Sequence, residues 1–239
     1  MALGNYKLGF GLGLVIGADF GLGKTFSMSA SEFRRGGIRK HSSTDSYNYF
    51  RGTAVTVEIL RFLELSAFYS NSSLDGVVEG GKIASIYNTV LDRTEKEAEN
   101  MNACVMQSAG GNLTYEKNRL KVGATGIYYR FNHPYEPDLK KYAKFNLHGN
   151  DFYNLGVDYK YRWGKLVWVG EGAVGKQGYA LLNQLKYRLL TGYQLLLIHR
   201  CYSHDYWSFF GRSFGEGSAP QNETGWYLAT EDAPWAHWK

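Results

Sequence analysis

Alternating apolar and polar residues run through the chain, and the clearest example lies in residues 152–188. Positions 153, 155, 157, 159 and 161 are all apolar or aromatic, whereas amide, glycine, acidic and basic residues lie between them. A strand places successive side chains on opposite faces, while a helix would spread this pattern around its circumference. The dipeptide Trp163-Gly164 then reverses the chain at once. The pattern therefore predicts long β-hairpins.

The same unit recurs and predicts about ten strands. They cover residues 5–16, 50–60, 62–70, 108–117, 119–131, 151–162, 165–175, 178–189, 191–203 and 224–231. Reversals at Arg61, Asn118, Trp163-Gly164 and Leu190 are very short, and the short link at 176–177 is the one exception to the pattern that follows. The other connections are long and polar, namely 27–48, 71–107, 132–150 and 204–223. Short turns on one rim and long loops on the other are typical of outer-membrane barrels.

We therefore predict an all-β fold, an antiparallel up-and-down transmembrane β-barrel in which residues 1–239 form a single region. Residues 27–48 are basic and Ser-rich and could fold inward as a plug, and residues 92–102 are predicted to form a short helix within a loop. The longest strongly apolar stretch, 195–198, is far shorter than the roughly 20 residues of a membrane-spanning helix. The first thirty residues lack the features of a signal peptide, so we expect a fragment of a larger exported barrel.

Strand alternation assigns side chains to two faces. The lipid-facing candidates are Leu8, Phe10, Leu12, Leu14, Val55, Val57, Leu120, Val122, Leu155 and Val157. The lumen-facing candidates are Lys7, Glu64, Lys121, Asp158, Lys160 and Glu171. Glu171 lies in an apolar strand, and a lipid-facing carboxylate would be costly. We expect it in the lumen opposite Lys160 or Arg162, in a structural pair rather than a transport role.

Composition is compatible with this fold. The mean hydropathy of −0.37 resembles that of a soluble protein, but half of each barrel strand faces a polar lumen. The chain is 16% aromatic with 19 Tyr, and we expect an aromatic girdle at the membrane interfaces that includes Tyr128, Tyr129, Tyr161, Trp163, Trp226 and Tyr227.

The net charge of +5 is explained by lumen-facing cations or by loops near anionic headgroups, and a nucleic-acid partner is not expected through this segment.

Three chemical patterns have simpler explanations. Residues 18–25 match a relaxed phosphate-binding loop, but no amphipathic helix follows, and a Gly-rich strand end accounts for them. His199, Cys201, His204 and Asp205 could supply metal ligands or part of a hydrolase site. A fourth metal ligand is not evident and no G-x-S-x-G elbow is present. We predict no catalytic residue, no cofactor and no metal.

Several segments in order resemble a Gram-negative outer-membrane β-barrel family known as helix-hairpin-helix domain-containing proteins. They are GFGLGLV (9–15), FGLGK (20–24), YFRGTAVTVE (49–58), LSAFYS (65–70), RTEKE (93–97), GGNLTY (110–115), VGATGIYY (122–129), YALLN (179–183), FGEGS (214–218) and QNE (221–223). The resemblance implies a barrel portion. Family members also carry a signal peptide and a helical DNA-binding-type module. We expect neither within residues 1–239, so neither a DNA role nor a catalytic residue transfers.

The resulting hypothesis is a non-enzymatic barrel protein of the Gram-negative outer membrane. It would act as a pore, a transport component or a surface-binding component. Its expected partners are outer-membrane lipid and a solute or macromolecule that the sequence does not identify. The alternatives are a soluble antiparallel all-β binding protein, whose apolar face would be an internal core, and a barrel hydrolase.

Overall fold

The computed structural model describes residues 1–17, 36–41, 49–87, 100–137, 145, 147–190, 193–217 and 219–232. These residues form thirteen strands: β1 (Ala2–Gly9), β2 (Gly37–Lys40), β3 (Phe50–Leu60), β4 (Leu63–Leu74), β5 (Gly76–Glu79), β6 (Lys82–Ile86), β7 (Cys104–Lys117), β8 (Leu120–Tyr135), β9 (Gly149–Trp163), β10 (Leu166–Gly175), β11 (Tyr179–Leu190), β12 (Tyr193–Tyr202) and β13 (Glu223–Asp232). No helix long and apolar enough to cross a bilayer occurs in this part of the chain.

The strands form one large sheet in the order β13-β12-β11-β10-β9-β8-β7-β4-β3-β1-β2. Every neighbouring pair along this path is antiparallel, and β5 and β6 form a small hairpin that touches the end of β8. The predicted all-β, antiparallel up-and-down architecture is confirmed. Among the described strands the sheet is not closed, because β2 and β13 lie at its two edges.

Tight turns define one rim of the sheet, which we call the turn rim. Residues 118–119 join Lys117 to Leu120, and residues 164–165 join Trp163 to Leu166. The first residue of each turn has a positive φ, 56° at both Asn118 and Gly164. Mirror-image hairpin turns require this conformation, which Asn and Gly adopt at low cost. The opposite end, where the longer connections lie, is called the loop rim.

The predicted strand boundaries agree with the structure except at the N-terminus. Nine of the ten predicted strands overlap an observed strand along most of their length, but the strand predicted at 5–16 ends at Gly9. The short strands β2, β5 and β6 were not predicted and lie within the predicted loops 27–48 and 71–107. Of the helix predicted at 92–102, only residues 100–102 are described, and they form a turn.

The sheet is strongly curved, as the position of the chain after β1 shows. β1 and β10 are six strand positions apart, which would be about 29 Å in a flat sheet. Leu12 lies three residues beyond β1, a distance of at most about 11 Å of chain. Its N–H nevertheless donates to the Glu171 carboxylate on β10 at 2.5 Å. The end of β1 and strand β10 therefore approach each other across an enclosed interior.

Strand alternation gives the curved sheet an inner face, which borders this interior, and an outer face. Aromatic rings fill the inner face towards the loop rim. Phe210, from the connection between β12 and β13, stacks on Phe50 of β3 at 4.7 Å and meets Tyr129 of β8 edge-on at 5.4 Å. Tyr129 also stacks on Phe152 of β9 at 5.4 Å. The core therefore lies inside the curve.

Candidate functional site

The outer face carries large apolar side chains that nothing else in the described structure covers. We call this surface the outer band. Its exposed members include Val55, Val57, Ile59, Leu65, Tyr69, Leu113, Leu120, Leu155, Val157, Trp168, Val174, Leu181, Leu185 and Leu228. They come from β3, β4, β7, β8, β9, β10, β11 and β13, so the band is shared by neighbouring strands across the sheet. Contiguous exposed apolar surface of this kind marks an interaction site or a membrane-facing surface.

Aromatic residues border the outer band. Tyr161, Trp163 and Tyr187 are exposed near the turn rim, and Tyr128 and Trp226 are exposed nearer the loop rim. Two of the residues predicted for the girdle are placed elsewhere. Tyr129 is fully buried in the core, and Tyr227 packs against Phe214 at 5.3 Å on the inner face. Polar residues follow on the outer face at the loop rim, namely Arg51, Asn71, Gln107, Arg130 and Asp151.

The predicted lipid-facing residues divide into two groups. Val55, Val57, Leu120, Leu155 and Val157 are exposed on the outer face, and Val122 is half-buried there. Leu8, Phe10, Leu12 and Leu14 are buried inside the curve, so their predicted outward position is wrong. Leu8 shares the inner face of β1 with Tyr6, whose ring stacks on Phe50 at 5.8 Å. Phe10, Leu12 and Leu14 lie beyond the end of β1.

Most of the predicted lumen-facing residues lie on the inner face. Alternation places Glu64, Lys121, Asp158, Lys160 and Glu171 there. Asp158 and Glu171 are buried, whereas Glu64 is exposed and Lys121 and Lys160 are half-buried. The predicted lumen-facing position of Lys7 is wrong, because Lys7 alternates with the buried Tyr6 and Leu8 and therefore lies on the outer face. The apolar side of β1 faces the interior and its polar side faces outward, which is the opposite of the prediction.

The centre of the interior is a carboxylate bound by backbone amides. Residues 10–17, which we call the inner segment, fold across β9 and β10. Glu171 is only 3% exposed and accepts hydrogen bonds from the N–H groups of Leu12 (2.5 Å), Leu14 (3.2 Å) and Val15 (3.2 Å). A buried carboxylate is tolerated where such donors replace the water it has lost. The inner segment therefore depends on Glu171 for its position.

The predicted basic partner of Glu171 is wrong, and the register explains why. Glu171 pairs with Asp158 across β9 and β10, while Lys160 pairs with Val169 and Arg162 with Val167. Both cations thus lie nearer the turn rim than the carboxylate. The carboxyl oxygens of Glu171 instead accept hydrogen bonds from backbone N–H groups of the inner segment, which lies far away in sequence.

The connection between β12 and β13 holds the inner segment from the other side. We call residues 203–217 the returning loop. Tyr206 Oη donates to the Leu14 carbonyl at 3.0 Å, and Ser208 Oγ donates to the Val15 carbonyl at 2.8 Å. The Arg212 N–H donates to the Gly13 carbonyl at 2.8 Å. Burial raises the pKa of Tyr206 well above its usual range, so the phenol keeps its donor proton at neutral pH.

The returning loop is itself anchored to the sheet by an ion-pair cluster. Arg200 on β12 is nearly buried and bonds the Glu223 carboxylate on β13, while its Nη2 lies 3.4 Å from Glu216 Oε1 in the loop. The Arg200 guanidinium also lies over the Phe214 ring at 5.5 Å. Tyr202 Oη donates to the Phe214 carbonyl at 2.6 Å. The predicted loop 204–223 is therefore folded into the interior over much of its length.

The residues considered for metal or hydrolase chemistry do not form one site. His199 packs against Trp226 at 4.3 Å, Cys201 lies 3.7 Å from Thr224 Oγ1, and His204 meets the Phe145 ring at 4.3 Å. Within the described residues no three His, Cys, Asp or Glu side chains come together as metal ligands. The phosphate-loop pattern at 18–25 and most of the predicted plug at 27–48 lie outside the described residues.

Sequence reasoning missed the inner segment and the returning loop as interior elements. One signal was present, because glycine occupies positions 9, 11 and 13. Gly11 and Gly13 have positive φ values of 55° and 86°. A Cβ on Gly11 would lie 2.8 Å from Glu171 Oε2, and one on Gly13 would lie 2.4 Å from the Arg212 carbonyl oxygen. Glycine is therefore required at both positions by conformation and by close contact.

No family model, no curated protein and no solved structure matches the chain. The resemblance to the barrel part of the helix-hairpin-helix domain-containing family stays a prediction.

Proposed function

We propose that this chain forms part of the wall of a Gram-negative outer-membrane β-barrel, with lipid against the outer band. The observation that carries the proposal is the outer band, whose large apolar side chains no other described element covers, although the interior holds an apolar core of its own. Asp158 and Glu171 are buried inside the curve, while their strand neighbours Val157 and Trp168 are about half exposed outside it. Soluble monomers rarely leave a contiguous apolar surface of this kind uncovered. Hydrocarbon is the solvent in which this arrangement is favourable.

The dimensions of the outer band support the same proposal. On β9 the apolar and aromatic positions run from Tyr153 to Trp163. Ten steps of about 3.3 Å give roughly 33 Å along the strand, or about 25 Å of height at a tilt near 40°. This matches the apolar band of outer-membrane barrels, and aromatic residues lie where the headgroups would begin.

We assign this wall a non-enzymatic role in binding or transport at the outer membrane. The inner segment and the returning loop fill the half of the interior nearest the loop rim. A solute could cross only if they moved, so the structure favours a surface-binding or gated component over an open pore. The resemblance to the helix-hairpin-helix domain-containing family is in keeping with a barrel wall. A soluble all-β binding protein is disfavoured, because the outer band would then lie uncovered in water, in addition to the apolar core inside the curve.

Refolding of the full chain tests the proposal. We expect it to aggregate in plain buffer and to refold in detergent micelles with heat-modifiable mobility on gels. Val157→Arg, in the middle of the outer band, should destabilise the protein folded in vesicles by about 2–4 kcal/mol. Ser73→Arg lies on the outer face of β4 near the loop rim and should cost at most about 1 kcal/mol. A monomer that unfolds cooperatively in plain buffer would refute the proposal.

A further inference from the structure

A row of polar side chains crosses the outer band from β9 to β12. Gly170 on β10 pairs with Tyr159 on one side and with Asn183 on the other, and Asn183 pairs with His199 on β12. Alternation places all of them on the outer face, where Tyr159, Asn183 and His199 are half-buried. We call these three residues the polar row. The nearest outer-face residues on β11 and β12 include Leu181, Leu185 and Leu197.

The glycine in this row allows the tyrosine to orient the amide. Tyr159 Oη reaches across β10 and donates to Asn183 Oδ1 at 2.6 Å. A Cβ on Gly170 would lie 2.4 Å from this phenol oxygen, so a larger residue there would displace the phenol. Because the amide oxygen is bound by Tyr159, the Nδ2 group of the same planar amide is turned away from that residue.

Two groups of the polar row have no hydrogen-bond partner among the described residues, namely the Asn183 Nδ2 group and the His199 imidazole. The His199 ring contacts the Trp226 ring at 4.3 Å, a contact that does not use the imidazole N–H. Polar groups without a partner are costly beside hydrocarbon, and polar residues in such a place are typical of functional sites. This step rests on the proposed function, since it takes the outer band to lie in lipid.

The polar row lies near the level at which a lipid headgroup would meet its acyl chains. His199 is three residues from Tyr202, the loop-rim end of β12. Three steps of about 3.3 Å give roughly 10 Å along the strand, or about 8 Å in height at a tilt near 40°. A headgroup layer is about 5–8 Å thick. Trp226, which pairs with His199 and is 68% exposed, belongs to the aromatic border of the outer band.

We propose that the polar row binds the ester carbonyl groups of a glycerophospholipid in the leaflet at the loop rim. The Asn183 Nδ2 group and the imidazole N–H of His199 are donors, and an ester carbonyl is an acceptor that carries no donor of its own. The leucines on either side of the row would contact the acyl chains. The ligand class therefore combines apolar chains with acceptors at the depth of the row.

The charges above the polar row indicate the kind of headgroup. The residues just beyond the loop-rim ends of β10 to β13 are 176–178, 203–205 and 220–222, and their charged side chains are Lys176 and Asp205. Lys176 also lies 3.9 Å from Asp151. A lipid with several phosphate groups would need a cluster of cations here. The balance of charge favours a headgroup with no net negative charge, as in phosphatidylethanolamine.

Native mass spectrometry of the full chain, refolded in nonionic detergent, tests the proposal. The probes are phosphatidylethanolamine with two ester-linked chains and its diether analogue, which has the same headgroup and chains but no carbonyl groups. The wild type should bind the diester about tenfold more tightly, as expected for two hydrogen bonds. Asn183→Leu/His199→Leu should bind the two lipids equally.

The matched control is Asn71→Leu/Gln107→Leu, which replaces another directly paired polar couple on the outer face, between β4 and β7. It should keep the preference for the diester. If the first double variant fails to fold, His199→Leu alone replaces it and should lower the preference to about threefold.

Four outcomes would overturn the proposal. They are equal binding of the two lipids by the wild type, a loss of the preference in the control as well, tighter binding of lipid A than of phosphatidylethanolamine, and a dimer that dissociates when the row is replaced. The last would place a second copy of the chain against the row. Heat-modifiable mobility is measured in parallel. A folded barrel without the diester preference contradicts only this inference, whereas a chain that never acquires heat-modifiable mobility contradicts the proposed function.

Discussion

Residues 8–16 and residues 153–163 carry the same alternating pattern but lie on opposite sides of the sheet. In the second stretch Leu155, Val157 and Trp163 are exposed on the outer face of β9. In the first stretch Leu8 and every second residue up to Ile16 are buried inside the curve. The intervening residues differ. They include Gly9, Gly11 and Gly13 in one stretch, but amide, acidic and basic residues in the other.

The comparison shows what alternation does and does not determine. Period two determines which side chains share a face. It does not determine whether that face meets lipid or the interior. Long polar side chains such as Asp158 and Lys160 occupy the interior in β9 and leave the apolar residues outside. Glycines leave that space empty and allow positive φ, so the inner segment can leave the strand and place its N–H groups around Glu171.

The largest expected loss of stability comes from removing the Glu171 carboxyl group, which accepts the hydrogen bonds that hold the inner segment inside the curve. Glu171→Ala leaves three buried N–H groups of the inner segment without their partner. We expect a loss of about 3–5 kcal/mol in the free energy of unfolding, because each N–H group left unpaired in the interior costs about 1–3 kcal/mol. Denaturant titration in micelles measures it. The control Glu64→Ala removes an exposed carboxylate on the same face and should change stability by less than about 0.5 kcal/mol.

Limited proteolysis sharpens the same experiment. If Glu171 positions the inner segment, the alanine variant should be cut within residues 10–17 before the strands are cut. Equal loss of stability in the two variants, or an inner segment that stays protected in Glu171→Ala, would show that the returning loop alone holds it.

The sequence predicted the sheet better than the interior, for a physical reason. Strand alternation and tight turns are local, so the hairpins at Asn118 and Gly164 and the faces of β9 followed from neighbouring residues. The bond between Leu12 and Glu171 joins residues that are 159 positions apart. No local pattern in β10 indicates that backbone amides rather than Lys160 or Arg162 will bind the carboxylate. The glycines at 11 and 13 were the accessible signal, but a Gly-rich strand explains them equally well.

A smaller effect is expected from the glycines themselves. Gly13→Ala combines a positive φ of 86° with a Cβ placed 2.4 Å from the backbone oxygen of Arg212. We expect a loss of about 2–3 kcal/mol, measured by denaturant titration in micelles. Gly4→Ala is the matched control, because Gly4 has a similar φ of 90° with nothing within 4 Å of the added atom. Gly4→Ala should lose only the cost of placing alanine at a positive φ, about 1 kcal/mol. Equal costs would mean that the contact with Arg212 is relieved without strain.

The smallest effect concerns the hydroxyl groups that bond the inner segment from the returning loop. Tyr206→Phe and Ser208→Ala each remove one donor to this segment and should each cost about 1 kcal/mol at neutral pH. Only for Tyr206→Phe should the difference in unfolding free energy from the wild type depend on pH. Burial raises the pKa of Tyr206 well above its usual range, whereas the unfolded chain ionises near pH 10.

Above pH 10 the wild type should therefore lose stability, because the unfolded state binds fewer protons than the folded state. Tyr206 contributes about 1.4 kcal/mol per pH unit to this loss, and the variant Tyr206→Phe lacks that contribution. The difference between wild type and Tyr206→Phe should thus vanish near pH 11, while that between wild type and Ser208→Ala should stay constant. Denaturant titrations of the three proteins at pH 8 and pH 11 measure both differences. A Tyr206→Phe difference that does not change with pH would place this phenol in solvent and the returning loop outside the interior.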